Sequence, residues 1–185
     1  MFTDIRSFTT LSEQMSPDEN FRFLNRYLGH VAPVINRYNG YIDKYLGDGI
    51  LSVFPESATS AIEAAIALQD AVDEFNAEQE RNGRQPIAVG CGIHSGSVML
   101  GTIGAVERMD GTVIADSVNL ASRIEGLNKT LGTSILATEV VADQLSGMPL
   151  RRLGPVQVVG KRNAVVLFEV LHGLTASSRG SNAPA

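Results

Sequence analysis

Asp43-Lys44-Tyr45-Leu46-Gly47-Asp48-Gly49 is the stretch on which the reading of this chain turns. Ile42 to Leu46 is a short strand-like run, Gly47-Asp48-Gly49 supplies turn chemistry, and Ile50 to Phe54 is a second apolar run. The segment therefore reads as a β-hairpin. Asp48 is expected at its tip with the carboxylate exposed, and Lys44 on the first strand. Upstream, Phe2-Thr3-Asp4-Ile5-Arg6-Ser7-Phe8-Thr9 reads as a strand end passing into a loop that opens a helix. Asp4 stands at the strand end, and the amides from Ile5 through Ser7 and Phe8 to Thr9 are placed to meet phosphate oxygens. Two strand-end carboxylates beside such a backbone make a candidate two-metal site, because hard divalent ions take oxygen ligands and share their shell with substrate phosphates. An Asp in a Gly-Asp-Gly turn is also an ordinary turn residue, so taken alone the hairpin leaves both readings of Asp48 open.

The bulk properties narrow the class. A chain of 185 residues, 44% of them apolar, is one ordinary domain with material for a full core. The net charge of −5 and the lack of a Lys/Arg-rich run argue against a nucleic-acid binder. A single cysteine, Cys91, rules out an internal disulfide framework and suits a reducing, cytoplasmic setting; it lies in an apolar run and reads as core. No apolar stretch approaches the roughly 20 residues of a membrane helix, and no signal peptide is visible. Met1-Phe2-Thr3-Asp4 opens inside what reads as a central strand, so the first strand is expected to be truncated. A catalytic domain over 1–172 and a disordered tail over 173–185 are expected.

Along the chain, Ser16-Pro17-Asp18-Glu19 is a helix start: Ser16 suits the N-cap, Pro17 the first helical position, and Glu19 completes a capping box. Phe21, Leu24, Leu28, Val31 and Ile35 give the inward stripe, Asn39-Gly40 the end, and Pro33 a bend or early stop. A second helix is expected over 59–81, with Ala61, Ala65, Leu68, Val72 and Phe75 inward. Ile87 to Leu100 reads as one long strand or a pair, with glycines that mark bulges or close backbone approach. Thr112 to Ile114 is a short strand, and a helix capped by Asp116 or Ser117 runs to about Asn128. A strand over 134–137, a short helix over 138–146 and strands over 150–159 and 164–171 close the chain. This order predicts an α+β domain, a mixed sheet with helices packed over it.

Asn119 and Arg123 are four apart and share a helix face. An amide and a guanidinium there can grip a ribose and a phosphate, since arginine donates in a planar fork and stays charged; a solvated helix face is the plainer alternative.

The segments 2–9, Lys44-Tyr45-Leu46-Gly47-Asp48, Gly92-Ile93-His94-Ser95-Gly96, and Thr112-Val113-Ile114 with Val118-Asn119-Leu120-Ala121-Ser122-Arg123 together resemble the class III nucleotidyl cyclase catalytic domain. The resemblance spans 1–171, with its motifs in order. It implies a ferredoxin-like mixed sheet and an enzyme making a 3′,5′-cyclic nucleotide and pyrophosphate with two Mg²⁺ or Mn²⁺ ions. It implies metal binding by Asp4, Asp48 and the Ile5 carbonyl, base reading by Lys44 and Thr112, ribose orientation by Asn119 and transition-state stabilisation by Arg123. Family members act as head-to-tail dimers, so a homodimer has two sites, each built from both subunits. Upstream sensory domains are usual in such proteins.

Lys44 and Thr112 favour ATP. Adenine offers an acceptor at N1 and a donor at N6, which a lysine and a threonine oxygen complement, whereas guanine presents the opposite polarity. The Lys–Thr pairing is similar to a bacterial subclass in which bicarbonate often stimulates activity. Ala115 stands where the family usually has glycine. For Lys161 two readings stand, a triphosphate contact or a turn lysine; Arg108 is likewise a triphosphate contact or a dimer-contact or solvated arginine. His30, His94 and His172 need no catalytic role. The rivals are a guanylyl cyclase, a silent cyclase-like dimerisation or nucleotide-sensing module, and a ferredoxin-like interaction domain whose motifs are coincidence.

Overall fold

The structure, a computed structural model, describes residues 1–105, 108–114 and 116–172, and of residues 100, 102–105 and 108–114 it describes the backbone. The segment expected as a tail, and Ala115, lie outside the described residues. The elements run β1 (Phe2–Ile5), α1 (Phe8–Ser12), α2 (Pro17–Arg37), β2 (Tyr41–Leu46), β3 (Gly49–Val53), α3 (Ala58–Arg81), β4 (Val89–Ile93), β5 (Met99–Ala105), β6 (Arg108–Ile114), α4 (Asp116–Leu131), β7 (Ile135–Thr138), α5 (Glu139–Ala142), β8 (Leu150–Val156) and β9 (Val165–Val170). The expected α+β order is the observed one, and 87–100 resolves into a pair, β4 and the start of β5. The third strand of this region is longer than expected: β6 has seven residues and forms a hairpin with β5 that places Thr112 opposite Gly101.

Seven strands form one sheet in the order β2-β3-β1-β4-β7-β9-β8. β4 and β7 run parallel, and the other neighbours run antiparallel. β1 therefore sits between β3 and β4, with Asp4 opposite Gly90. Strand side chains alternate between faces, and the two faces hold separate cores. Ile5, Val89, Cys91, Ile93, Ile135 and Ala137 point to the face covered by α2 and α3. Leu136 and Leu167 point to the other, where α4 adds Leu120 and Ile124.

Helix α2 begins as its sequence dictates. The Glu19 amide donates to Ser16 Oγ at 3.3 Å and the Ser16 amide donates to Glu19 Oε2 at 2.8 Å, a complete capping box. Its inward stripe differs in phase from the expected one: Phe23, Tyr27, Val31, Val34 and Ile35 are buried, Leu24 and Leu28 flank them, and Phe21 is 68% exposed. The aromatic rings set this phase. Phe75 of α3 meets Phe23 and Tyr27 edge-on at 5.6 and 6.0 Å, and those contacts need residues 23 and 27 inward. Pro33 neither bends the helix to a stop nor shortens it, since α2 runs on to Arg37. The proline ring crowds the carbonyl four residues back, and that residue is Gly29, around which a Cβ would find open space. Asn39, at φ 59°, and Gly40 end the helix as expected, the Gly40 amide donating to the Ile35 carbonyl at 3.0 Å.

Helix α4 rests on the sheet through glycine. A Cβ on Gly92 would fall on the Ala121 carbonyl and the Glu125 amide, and one on Gly90 on the Glu125 carboxylate. The expected close backbone approach is thus the seat of α4 on β4.

Candidate active site

The two aspartates of the hairpin argument meet. The Ile5 amide donates to Asp4 Oδ1 at 3.1 Å and to Asp48 Oδ2 at 3.2 Å. The tight turn that brings Asp48 there uses Gly47 at φ +68°, a conformation glycine adopts freely. Asp48 is consequently half-buried and aimed at β1, not exposed at the hairpin tip. The Ile5 side chain is in the core, so only its backbone serves the site. Partial burial, then the hydrogen bond and charge of Asp48, push the Asp4 carboxyl up to about 8. Two carboxylates this close resist carrying two charges together, and a divalent cation relieves that repulsion. The donor set, two carboxylates and a backbone carbonyl, is hard oxygen throughout and suits Mg²⁺ or Mn²⁺ completed by water and phosphate. Among the described residues no cluster of three or more His, Cys, Asp or Glu is arranged to hold a metal without such help.

Beside this pair, Ser7 adopts φ 56° and opens α1 without a side-chain cap on the first-turn amides. Phe8 packs on Phe23 at 6.1 Å, which leaves its backbone and that of Thr9 as the parts available to an anion. Lys44 is half-buried on β2 and pairs with Asp43 at 3.3 Å across a bulge between Ile42 and Lys44. β6 passes beside β2, so the strand carrying Thr112 lies along the strand carrying Lys44. Arg108 opens β6.

Asn119 and Arg123 are on α4 as the spacing predicts, but they do not join the aspartates. α4 buries Leu120, Ala121, Ile124, Glu125 and Asn128 against the sheet. Asn119 and Arg123 are exposed on its opposite side. Lys161 belongs with them: its ammonium pairs with the Asp116 carboxylate on the first turn of α4. The β8–β9 turn lies against Arg123, whose Nη1 is 2.7 Å from where a Cβ on Gly160 would stand.

The family model described as the adenylate and guanylate cyclase catalytic domain matches residues 1–171. The chain belongs to that family. An adenylate cyclase of Anabaena cylindrica is 46% identical over 179 residues, covering 92% of this chain and 36% of the relative; the chain thus spans about a third of that protein. Among solved structures, the adenylyl cyclase CyaB from P. aeruginosa superposes at TM-score 0.84 with 29% identity, covering 94% of this chain and 92% of that one. The guanylyl cyclase Cya2 superposes at TM-score 0.80 with 31% identity, covering 98% and 94%. The fold is thus that of the cyclase catalytic domains, as expected.

Three residues of this cyclase domain escaped the sequence reading. Glu125 is a 9% exposed carboxylate on the sheet side of α4, pushed up to about 7 by burial, and its charge acts on Asp4. Gly90 opposite Asp4 was its signal, since a missing side chain there leaves room for one from α4. Arg6 crosses to the Thr133 carbonyl beyond the end of α4, and Asp116 holds Lys161. Neither contact has a local sequence sign. His94 is half-buried, with Nδ1 2.9 Å from Thr138 Oγ1 and burial lowering its pKa, in keeping with a structural role. No described helix is long and apolar enough to cross a membrane.

Proposed function

We propose that this domain is an adenylyl cyclase that converts ATP to 3′,5′-cyclic AMP and pyrophosphate at the interface of a head-to-tail homodimer. The observation that carries this is the opposed aim of its two half-sites. Asp4 and Asp48 converge on the Ile5 amide on the sheet, while Asn119 and Arg123 face outward from the far side of α4. One protomer cannot close both around one nucleotide, and a two-fold partner can, twice. Tyr45, Leu46, Val98 and Met99 are large apolar side chains left exposed on β2 and at the start of β5, the kind of surface a partner covers.

In this reading Asp4, Asp48 and the Ile5 carbonyl hold two divalent ions, which when bound supply the Lewis acidity that activates the 3′-hydroxyl and neutralises the phosphates. Ser7, Phe8 and Thr9 offer backbone amides to the triphosphate. From the other subunit, Lys44 and Thr112 read the adenine edge and Asn119 orients the ribose. The 3′-oxygen attacks the α-phosphorus, its bond to the pyrophosphate oxygen breaks, and the hydroxyl proton passes to solvent. Arg123 offsets the charge that develops on the α-phosphate and the leaving oxygen. Lys161 and Arg108 serve the β- and γ-phosphates. The work of the protein is positioning and electrostatics.

The solved structures above include one named adenylyl and one named guanylyl cyclase at near-equal identity, so likeness does not choose the base; Lys44 and Thr112 do. The Lys–Thr pairing also supports stimulation by bicarbonate, an idea removed by a rate unchanged on adding it at constant pH. The full protein is proposed to carry sensory domains upstream and to act in the cytoplasm. Purified protein with Mn²⁺ and either ATP or GTP, beside an Asp48→Ala control, tests the core reading. Cyclic AMP from ATP, little product from GTP and none from the control is the expected result. An excess of cyclic GMP overturns the base assignment, and no product from a dimeric wild type overturns the activity.

A further inference from the structure

We propose that Asp116 is a positioning residue that holds Lys161 in the resting domain, so that an incoming polyphosphate must displace a built-in anion before Lys161 can engage it. The inference rests on the cyclase reading above, in which the Arg123 face of α4 meets the nucleotide.

Asp116, Asn119 and Arg123 stand at i, i+3 and i+7 of α4, one stripe along the helix, and all three are exposed. The β8–β9 turn lies along that stripe. Gly160 adopts φ +75°, and the place of its missing Cβ is taken by the Arg123 guanidinium. A side chain there would displace the tip of Arg123, and the left-handed backbone at this position favours glycine. The next residue, Lys161, pairs with Asp116 across 45 residues of sequence. Its backbone is fixed at both ends: its amide donates to the Val158 carbonyl at 3.0 Å, and its carbonyl accepts from Gln157 Nε2 at 2.6 Å. Only the four-carbon stem of Lys161 is left to re-aim, and its present target is a carboxylate.

The charges make that carboxylate a stand-in for a ligand. Lys161, Arg123 and His94 all act on Asp116, and His94, on β4's trailing end, also feels Lys161. Two permanent cations side by side repel unless an anion sits between them. Asp116 neutralises Lys161 without nucleotide, and a triphosphate carries more charge with which to do so. Asp116 is 74% exposed in its side chain and Lys161 25%, so the pair is solvated enough to exchange. Exposed ion pairs shift equilibria by up to about five-fold, a size that sets substrate affinity without blocking the enzyme.

The test is kinetic and chemical together. KM and kcat for ATP are measured with Mn²⁺ for wild type, Asp116→Asn, Asp116→Glu, Lys161→Met and the Asp116→Asn/Lys161→Met double variant. Lys161 acylation by an amine-reactive ester is followed by peptide mass spectrometry against exposed Lys129. Asp116→Asn is expected to lower KM about two- to five-fold with kcat little changed, and Asp116→Glu to behave as wild type. In the Lys161→Met background the Asn substitution is expected to leave KM unaltered. An equal fall in that background shows Asp116 repelling the nucleotide directly and overturns the inference, as does a KM that rises or stays level in the single variant. The acylation arm does not depend on turnover: Lys161 is expected to react faster, relative to Lys129, in Asp116→Asn. Equal rates overturn the latch even in an active enzyme, whereas faster acylation in a protein that makes no cyclic nucleotide keeps the latch and sinks the cyclase reading.

Discussion

The aspartate half and the arginine half of this domain are held in different ways. Asp4 and Asp48 are placed by strand register and a glycine turn, and both lean on one backbone amide. Asn119 and Arg123 sit on the outward face of a helix and Lys161 on a neighbouring turn, which an ion pair with Asp116 ties to that helix. The first half is built as part of the sheet. The second is presented at the surface, where the proposed partner subunit would complete it. Residues placed by strand register depend on the fold of their own chain, while exposed side chains on a helix face are free to meet another copy.

Removing either aspartate is the harshest way to break this contrast. Asp4→Asn and Asp48→Ala are each expected to cut cyclisation by at least about 10²-fold, measured as cyclic AMP formed per minute with Mn²⁺, while circular dichroism shows the fold retained. Arg123→Ala is expected to lose a similar factor by itself, and mixing decides whether the halves come from separate chains. An equimolar mixture of Asp48→Ala and Arg123→Ala, each inactive, should recover about a quarter of wild-type activity, because half the dimers are mixed and each mixed dimer has one intact site. A mixture that stays dead would place both halves in one chain. Next in size is the base edge: Lys44→Glu with Thr112→Cys should lower kcat/KM for ATP about 10²-fold and raise that for GTP, since each mismatch leaves a polar group unpaired.

Two glycine substitutions sharpen the comparison at the level of stability. Gly92→Ala should cost about 1–3 kcal/mol in urea unfolding, because the new methyl meets the α4 backbone. Gly126→Ala on the same helix, with nothing within 4 Å of the added carbon, should stabilise by up to about 1 kcal/mol. The pH response tests the aspartate half by titration. The folded-state pKa of Asp4 lies above its ordinary value of 3.8, at about 8. Its contribution to stability is therefore fully present below 3.8 and lost as the pH rises through about 8. Glu125, raised from 4.5 to about 7, acts in the same direction. Metal-free protein should melt at falling temperature across that window, Asp4→Asn should flatten the fall, and Mn²⁺ should restore the melting temperature at the alkaline end.

How much of this could be read in the sequence follows the same division. The hairpin and the capping box at Ser16 are local patterns, and the structure has both where the sequence puts them. The α3 stripe of Ala61, Ala65, Leu68, Val72 and Phe75 is buried throughout. What the sequence left open was decided by distant partners. The phase of α2 slipped because both phases offer apolar residues at helical spacing, and only the Phe75 ring selects Phe23 and Tyr27. Asp48 looked exposed because a turn tip usually is, until β1 turns out to lie beside it. Glu125 drew no reading, since an acid two residues from Arg123 gives no hint of the glycine trough that receives it. Lys161 could not be assigned while Asp116, its partner, lay 45 residues away.

The position of β1 has a consequence for how the domain is made. Of the strands in this domain it comes first in sequence, yet its two neighbours are β3 and β4. On the ribosome, Phe2–Ile5 must wait until Val89–Ile93 has emerged before both of its edges are paired. Such long-range pairings are the slow step in assembling a sheet. The hairpin of β2 and β3 is a local pairing that carries Asp48, whereas the carboxylate pair also needs β1 docked on β3. The pair of carboxylates is therefore a long-range product of the fold, present only in a chain whose first strand has found its place in the sheet.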